Sequence, residues 1–354
     1  MKNKIITITF IIYIFVFSIL GIIIKDKEIS YTERRKLQTF PLVSINSEYI
    51  NKVDKYLLDH FPFRDNFRSI KANFNYNVLQ KLDNNDIYIK DNYIFKSNYP
   101  TNTESIKRFI KIINDTKTNF NKNNNVYITI IPDKNYYLED NDFLQIDYGY
   151  IYNEINKLNI ENIDIRNILN LYDYYETDTH WKQENLDKVI LEMSKVMNFD
   201  YQKQYYTKNT YDNFYGVYYG ESAINRKPET ITYLTSNNID SVYVEYLENN
   251  KLHSIYNLEK LKSTDSYEIY LDGASSFIEI YNENSNSNKE LVIFRDSFAS
   301  SITPLLINYY HKITLIDNRY ITSYNYLKLI DFTNQDILFM YSILLVNNSS
   351  SIKE

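Results

Sequence analysis

Two polar clusters in this 354-residue chain carry side chains able to do covalent chemistry. The first is LVIFRDSFASSITPLL, residues 291–306, in which four apolar residues run into Arg295, Asp296 and Ser297 and a helix-compatible stretch follows. That pattern puts Ser297 between the C-terminal end of a strand and the start of a helix, where open α/β sheets bind ligands and helix-start amides stabilise a developing oxyanion. A serine there suits nucleophilic attack; the alternative is that Asp296 or Ser297 only caps the helix. The second cluster is YYETDTHWKQEN, 174–185, which brings Asp178, His180 and Trp181 into a polar loop ahead of a helical stretch at 182–197. A serine hydroxyl needs a base, and the base needs a carboxylate to fix its tautomer and stabilise its charged form. Asp178 and His180 have the types for both, but a two-residue spacing closes only if the local turn allows it. The alternative is a surface histidine beside a core tryptophan. Convergence favours chemistry: the chain has four histidines and one Trp, that Trp adjoins His180, and both loops border the expected sheet.

Other chemistries find little support. His60, His253 and His311 have no comparable carboxylate setting, and no HExxH or similar spacing gathers the roughly three ligands an open metal site needs, so no metal is expected. Cys 0 excludes disulfides, thiolate metal sites and a cysteine nucleophile. The five glycines, at 21, 149, 216, 220 and 273, form no phosphate-binding loop, so no nucleotide cofactor is expected. Lys+Arg 39 against Asp+Glu 45 gives a net charge of −6, which argues against nucleic acid as a partner.

The elements that must position these residues follow an apolar leader. Residues 5–24 carry no charge, enough to cross a hydrocarbon core of roughly 30 Å at about 1.5 Å per residue. Lys2 and Lys4 precede this run, while Lys25, Asp26, Lys27 and Glu28 cancel behind it, so the positive-inside bias puts the N-terminus in the cytoplasm and the rest outside as a single-pass anchored protein. A cleaved signal peptide is the competing reading, against which stand the length of the run and the lack of an A-x-A-like site. The expected divisions are 1–28 for the tip and anchor, 29–85 for a juxtamembrane linker and helical segment, and 86–354 for the main domain. Apolar spacing over 44–80 predicts two short helices hinged at Pro62. Beyond about residue 87 short apolar runs (IYIK, VYITIIP, IDIRNIL) alternate with amphipathic stretches, the signature of an α/β domain with a parallel sheet. Residues 200–285 read as a β-rich insertion or extension, after which LVIF, KITLID and DILFMYS resume the parallel pattern.

Four motifs in order, ERRKLQTFP (33–41), DHFPFRD (59–65), DTHW (178–181) and RDSFA (295–299), resemble the DHHW family. These are Gram-positive relatives of the alginate O-acetyltransferase J/X proteins in the SGNH-hydrolase superfamily. The resemblance runs from about residue 30 to the end and implies an SGNH-like three-layer α/β/α sandwich with a parallel sheet. It implies Ser297 as nucleophile, His180 as general acid/base and Asp178 as orienting carboxylate. It also suggests substrate-binding roles for Arg319 in LIDNRY and Lys134 in IIPDKNYY, with Lys134 near the mouth of the site; Trp181 and Arg295 are further substrate-binding candidates. For Arg319 an ion pair with Asp317 is the alternative. The chain departs from the superfamily in having Arg295 where glycine is usual before Asp-Ser, and the second oxyanion donor is not identified. The activity implied is transfer of an acetyl group, through an acetyl-serine, onto a polysaccharide acceptor, with a multi-pass membrane acyltransferase partner as donor. Trp181 and the tyrosines at 205, 206, 215, 218 and 219 could stack on sugar; for the tyrosines the favoured alternative is core and edge-strand packing in the insertion. A carbohydrate acetyl esterase and a non-catalytic glycan-binding or assembly component are the other readings.

Overall fold

The computed structural model describes residues 2–138, 143–248, 252–285 and 287–354, which form two compact units. The first runs to Ile87 and includes Tyr219–Arg226; the second comprises Tyr88–Tyr218 and Lys227–Glu354.

In the first unit, α1 (Lys2–Ile23) is long and apolar enough to be a membrane anchor or a signal sequence. Two helices then flank Pro62: α2 (Ser47–Asp59), whose N-cap Asn46 accepts the Tyr49 amide, and α3 (Arg64–Asn73), continued by one π-helical turn at Phe74–Val78. The break falls where the spacing places it. The ERRKLQTFP and DHFPFRD motifs meet here. Asp59 accepts from Arg35 Nη1 at 3.0 Å and from the Gln38 amide at 2.9 Å, while Glu33 pairs with Arg64 at 2.5 Å and Arg68 at 3.4 Å. Burial alone raises a carboxyl pKa, but the Arg35 hydrogen bonds, the Gln38 amide and the nearby guanidinium charges hold Asp59 at about 2, below its ordinary 3.8.

The second unit is built on an eight-stranded sheet. In chain order its strands are β1 (Asn125–Ile131), β2 (Glu161–Asn162), β3 (Tyr243–Tyr246), β4 (Leu252–His253), β5 (Phe277–Tyr281), β6 (Glu290–Arg295), β7 (Lys312–Ile316) and β8 (Asp336–Ser342), arranged β4-β3-β5-β7-β6-β8-β1-β2. From β7 to β2 every pairing is parallel; β5, β3 and β4 add on antiparallel. Strand β6 shows why the layers form. Its near-continuous apolar run points Leu291 and Ile293 to one face and Val292 and Phe294 to the other, as a strand buried on both sides must. Over the first face lie α6 (Asp187–Met197) and α7 (Ala299–Leu306); over the second lie α4 (Thr103–Lys117) and α5 (Tyr148–Asn156). The result is the expected α/β fold, a mostly parallel sheet between two helical layers.

The structure refines three expectations. The 200–285 stretch divides between insertion and extension: β3, β4 and β5 extend the main sheet, and the antiparallel pair Thr207–Phe214 with Glu229–Thr235 stands apart. The run IYIK does not enter the parallel sheet: Asp91 and Asn92, with φ of 48° and 71°, turn it straight into a hairpin with Tyr93–Lys96. Such consecutive left-handed residues make the turn whose twist suits a two-residue hairpin. In IDIRNIL the ladder ends just before the motif: β2 stops at Asn162 and the Ile163 amide still reaches the Ile128 carbonyl.

Candidate active site

The carboxyl ends of β6 and β8 meet at Asp296, whose Oδ1 accepts the Phe298 amide at 3.0 Å and whose Oδ2 accepts the Ser342 amide at 2.7 Å. Asp296 is therefore the residue that ties off the helix start. Ser297 is left half-buried at the sheet's carboxyl edge with its hydroxyl turned elsewhere. That hydroxyl meets His180: Nε2 lies 2.8 Å from Ser297 Oγ, and Nδ1 lies 2.6 Å from Asp178 Oδ1. The two-residue spacing closes because Asp178 forms an Asx turn, its Oδ1 also accepting the His180 amide at 3.0 Å. Its other oxygen accepts the Val217 amide at 2.8 Å, so the buried carboxylate is engaged on both sides. With Nδ1–H directed to Asp178, Nε2 is free to accept the serine proton. This arrangement can generate an oxygen nucleophile and stabilise the imidazolium that results.

The loop bearing Asp178 and His180 is held from several directions. Tyr174 and Trp181 form an antiparallel bridge, the Tyr175 amide reaches the His180 carbonyl, and the Lys182 amide reaches the Asp173 carbonyl, closing the loop's base. Inside it, the Lys134 ammonium donates to the carbonyls of Tyr175, Glu176 and Asp178 at 3.1, 2.9 and 2.8 Å. Three acceptors call for three N–H groups, so the geometry fits the charged form. Burial pushes this amine down from its usual range, against the pull of the Glu229 and Asp178 charges. From the other side Glu229 accepts the amides of Glu176 and Thr177 at 2.5 and 2.7 Å; burial pushes its carboxyl up, and these hydrogen bonds and the Lys134 charge oppose that. The Gly216 backbone lies flat against the loop, where a Cβ would stand 2.3 Å from the Asp178 nitrogen and the Thr177 carbonyl. The Gly216 amide also donates to Thr177 Oγ1 at 2.9 Å.

On the imidazole's face, the Tyr267 ring stacks with centroids 3.8 Å apart and planes 7° from parallel, and its hydroxyl donates to Ser301 Oγ at 2.8 Å. The Trp181 indole N–H reaches the same Ser301 Oγ at 2.9 Å and the Phe298 carbonyl at 3.0 Å. Thus α7, which follows the nucleophile-type serine, is pinned to the histidine loop through the Ser301 hydroxyl and the Phe298 carbonyl.

Of the sequence-selected residues, Ser297, His180 and Asp178 come together, and the other four are held in the surrounding structure. Lys134 is not at a mouth: it is buried beneath the loop, where its length lets it span three carbonyls. Trp181 is fully buried and offers no face to a sugar. Arg295 is buried too, its Nη1 donating to Ser300 Oγ at 2.6 Å, so it braces the start of α7. Arg319 makes a bidentate pair with buried Asp317, at 2.8 Å through Nε and 2.5 Å through Nη2, which is the ion-pair alternative. Among the tyrosines, Tyr218 is buried with its hydroxyl 3.1 Å from Thr179 Oγ1, whereas Tyr205 is open to solvent. Sequence reasoning missed Gly216, Glu229 and Tyr267. A glycine in a chain with five of them was a usable signal; one tyrosine among 37 was not. Among the described residues no group of three or more metal-ligating side chains converges.

No protein-family model and no curated protein matches the sequence. In fold the chain is similar to a DHHW family protein from Eubacterium siraeum, with 19% identity over 77% of this chain and 94% of the other and a TM-score of 0.63. It is also similar to Bacillus cereus PatB1 in a structure with a sulfonyl adduct, with 21% identity over 76% of this chain and 96% of the other and a TM-score of 0.59. A second PatB1 structure gives 19%, 77%, 98% and 0.58. The chain thus has the fold of a DHHW family protein across about three quarters of its length.

Proposed function

We infer that the protein is a polysaccharide O-acetyltransferase working through an acetyl-serine on Ser297. The observation that carries this reading is the continuous hydrogen-bonded relay from Asp178 through His180 to Ser297 at the carboxyl edge of the sheet. The four-motif resemblance supplies acetyl as the acyl group and a glycan as the acceptor. As Ser297 Oγ attacks the acetyl carbonyl, His180 Nε2 takes the hydroxyl proton, then delivers it to the departing donor group as the tetrahedral intermediate collapses to the ester. A sugar hydroxyl next gives its proton to His180 and attacks the ester carbonyl, and Ser297 leaves as it regains that proton. Because Phe298 and Ala299 donate their amides to Asp296, the Ser297 amide is the helix-start donor left for the oxyanion among the described residues.

In this reading α1 is an uncleaved anchor with the domain outside the cell. Acetyl-CoA is not normally found there, so a multi-pass membrane acyltransferase passes acetyl groups to the enzyme. The test is the intact mass of full-length wild type and Ser297→Ala in detergent after exposure to p-nitrophenyl acetate, with and without candidate glycans. An acetyl adduct confined to wild type and discharged onto glycan supports transfer. Discharge to water whatever glycan is present identifies an esterase instead. The PatB1 structure with a sulfonyl adduct makes a sulfonyl fluoride a useful second reagent. If neither reagent gives a Ser297-dependent adduct, the glycan-binding reading replaces this one.

A further inference from the structure

The first unit leaves a long apolar stripe largely exposed. Along α3 and its π-helical continuation, Phe67, Ile70, Phe74 and Val78 are 38%, 64%, 50% and 63% exposed, and their spacing puts them on one side of a segment about 22 Å long. Leu57 and Leu58 at the end of α2 and Phe61 before the hinge extend the exposed apolar surface. The adjoining side is engaged: Arg64 holds Glu33, Arg68 donates to the Gly220 and Glu221 carbonyls at 3.1 Å, and Ala72 and Asn75 are buried. So the stripe is the outward face of an otherwise satisfied element.

Contacts with α1 set its depth. Just beyond the apolar run, Asp26 accepts the Tyr56 hydroxyl at 2.8 Å and stands 3.5 Å from His60 Nδ1, a polar clasp at the level where headgroups begin. Below it, the Phe17 ring stacks on Phe61 with centroids 5.3 Å apart and meets Phe67 at 5.8 Å. Phe17 lies seven residues inside the end of the apolar run, about 10 Å along the helix, which is the depth to which interfacial amphipathic helices seat their apolar faces. We propose that the α2–α3 hairpin is a membrane-seated foot, with Phe67, Ile70, Phe74 and Val78 inserted among lipid acyl chains beside α1. The occupant is the bilayer itself, not a partner protein, because the stripe continues from a helix that is itself exposed along its length. Its flanking charges are mixed, with Lys52, Lys55, Arg64, Arg68 and Lys71 against Glu48, Asp54, Asp59 and Asp65, so apolar insertion drives the contact, without a requirement for anionic lipid. This inference rests on reading α1 as an uncleaved anchor.

The absence of cysteine makes the test clean. Single variants Ile14→Cys in α1, Ile70→Cys, Phe74→Cys and Lys122→Cys in the full-length chain are labelled with an environment-sensitive fluorophore and reconstituted into phosphatidylcholine vesicles. Nitroxide lipids spin-labelled along the acyl chain should quench most of the emission at 14, 70 and 74 and spare 122, while aqueous iodide does the reverse. Quenching at 14 but not at 70 or 74 overturns the foot and leaves the anchor standing. No lipid quenching at 14 overturns both. Labels at 70 and 74 shielded from iodide without lipid quenching mean a protein occupant, which also overturns the proposal.

Discussion

Gly216→Ala tests whether backbone shape, not only Asp178, His180 and Ser297, sets the site. An alanine methyl would stand 2.3 Å from the Thr177 carbonyl and the Asp178 nitrogen, whereas ordinary contact starts near 3.4 Å, so the two strands of chain must part by about 1 Å. Both neighbours are backbone and no flexible side chain can yield. The separation pulls the Val217 amide away from Asp178 Oδ2 and the Gly216 amide away from Thr177 Oγ1, loosening the carboxylate that orients His180. Misplacement of about 1 Å at a reacting group costs about 10²-fold in rate. Turnover of p-nitrophenyl acetate should therefore fall about 10²-fold in kcat/KM, while the circular dichroism of the variant stays that of wild type. Gly149→Ala is the paired control: its methyl meets only Asp147 Oδ1 at 3.4 Å, within α5, so activity is unchanged and helix propensity adds up to about 1 kcal/mol of stability. A Gly216→Ala enzyme within threefold of wild type would refute the argument that this close approach positions the relay.

Three further outcomes follow from the same geometry. Asp178→Asn keeps the shape of the Asx turn but cannot hold the Nδ1–H tautomer or stabilise an imidazolium; ester turnover should drop by about 10⁴-fold, with the melting temperature little changed. Lys134→Met strands three carbonyls and leaves Glu229 without its cation, so chemical denaturation should show a loss of about 3–5 kcal/mol, and adding Glu229→Gln should recover part of it. Asp133 is buried, and this raises its carboxyl to about 6 against the pull of hydrogen bonds from Tyr148 and Asn98. A raised carboxyl makes the folded state bind more protons than the unfolded one, so its contribution is fully present below about 3.8 and is lost as pH rises through about 6, a loss of at most ~3 kcal/mol. Relative to Asp133→Asn, wild-type stability should fall across that window; parallel pH profiles for the two proteins would contradict the assignment.

Residues whose role depends on covalent neighbours were legible in the sequence. Ser297 follows an apolar strand and precedes a helix, and that alone puts it at the sheet's carboxyl edge. The break at Pro62 and the apolar leader follow equally from local spacing and composition. Contacts that depend on tertiary approach were not legible. Lys134 sits beside a strand end, as a substrate-binding lysine would, and only the fold shows the 173–182 loop wrapped over its amine. Trp181 has the same amphipathic ring whether it faces sugar or core, and its burial depends on α7, more than 100 residues later in the chain. The strands of the 200–285 stretch were recognisable one by one, but pairing β5 with β7 is a nonlocal choice that alternation does not encode. For IYIK the information was present: Asp91-Asn92 is a hairpin signal, and the larger β–α rhythm obscured it.

The tyrosine stacked on His180 has a spectroscopic consequence. At 3.8 Å and nearly parallel, the Tyr267 ring places the carbon-bound protons of this imidazole in its shielding region, so their resonances should move upfield of those of a solvent-exposed histidine. With four histidines in the chain, the imidazole region of the spectrum holds few resonances to sort. If Ser297 is acylated as proposed, the His180 chemical shift reports, in real time and without any label on the substrate, when the neighbouring serine oxygen is free and when it carries the acyl group.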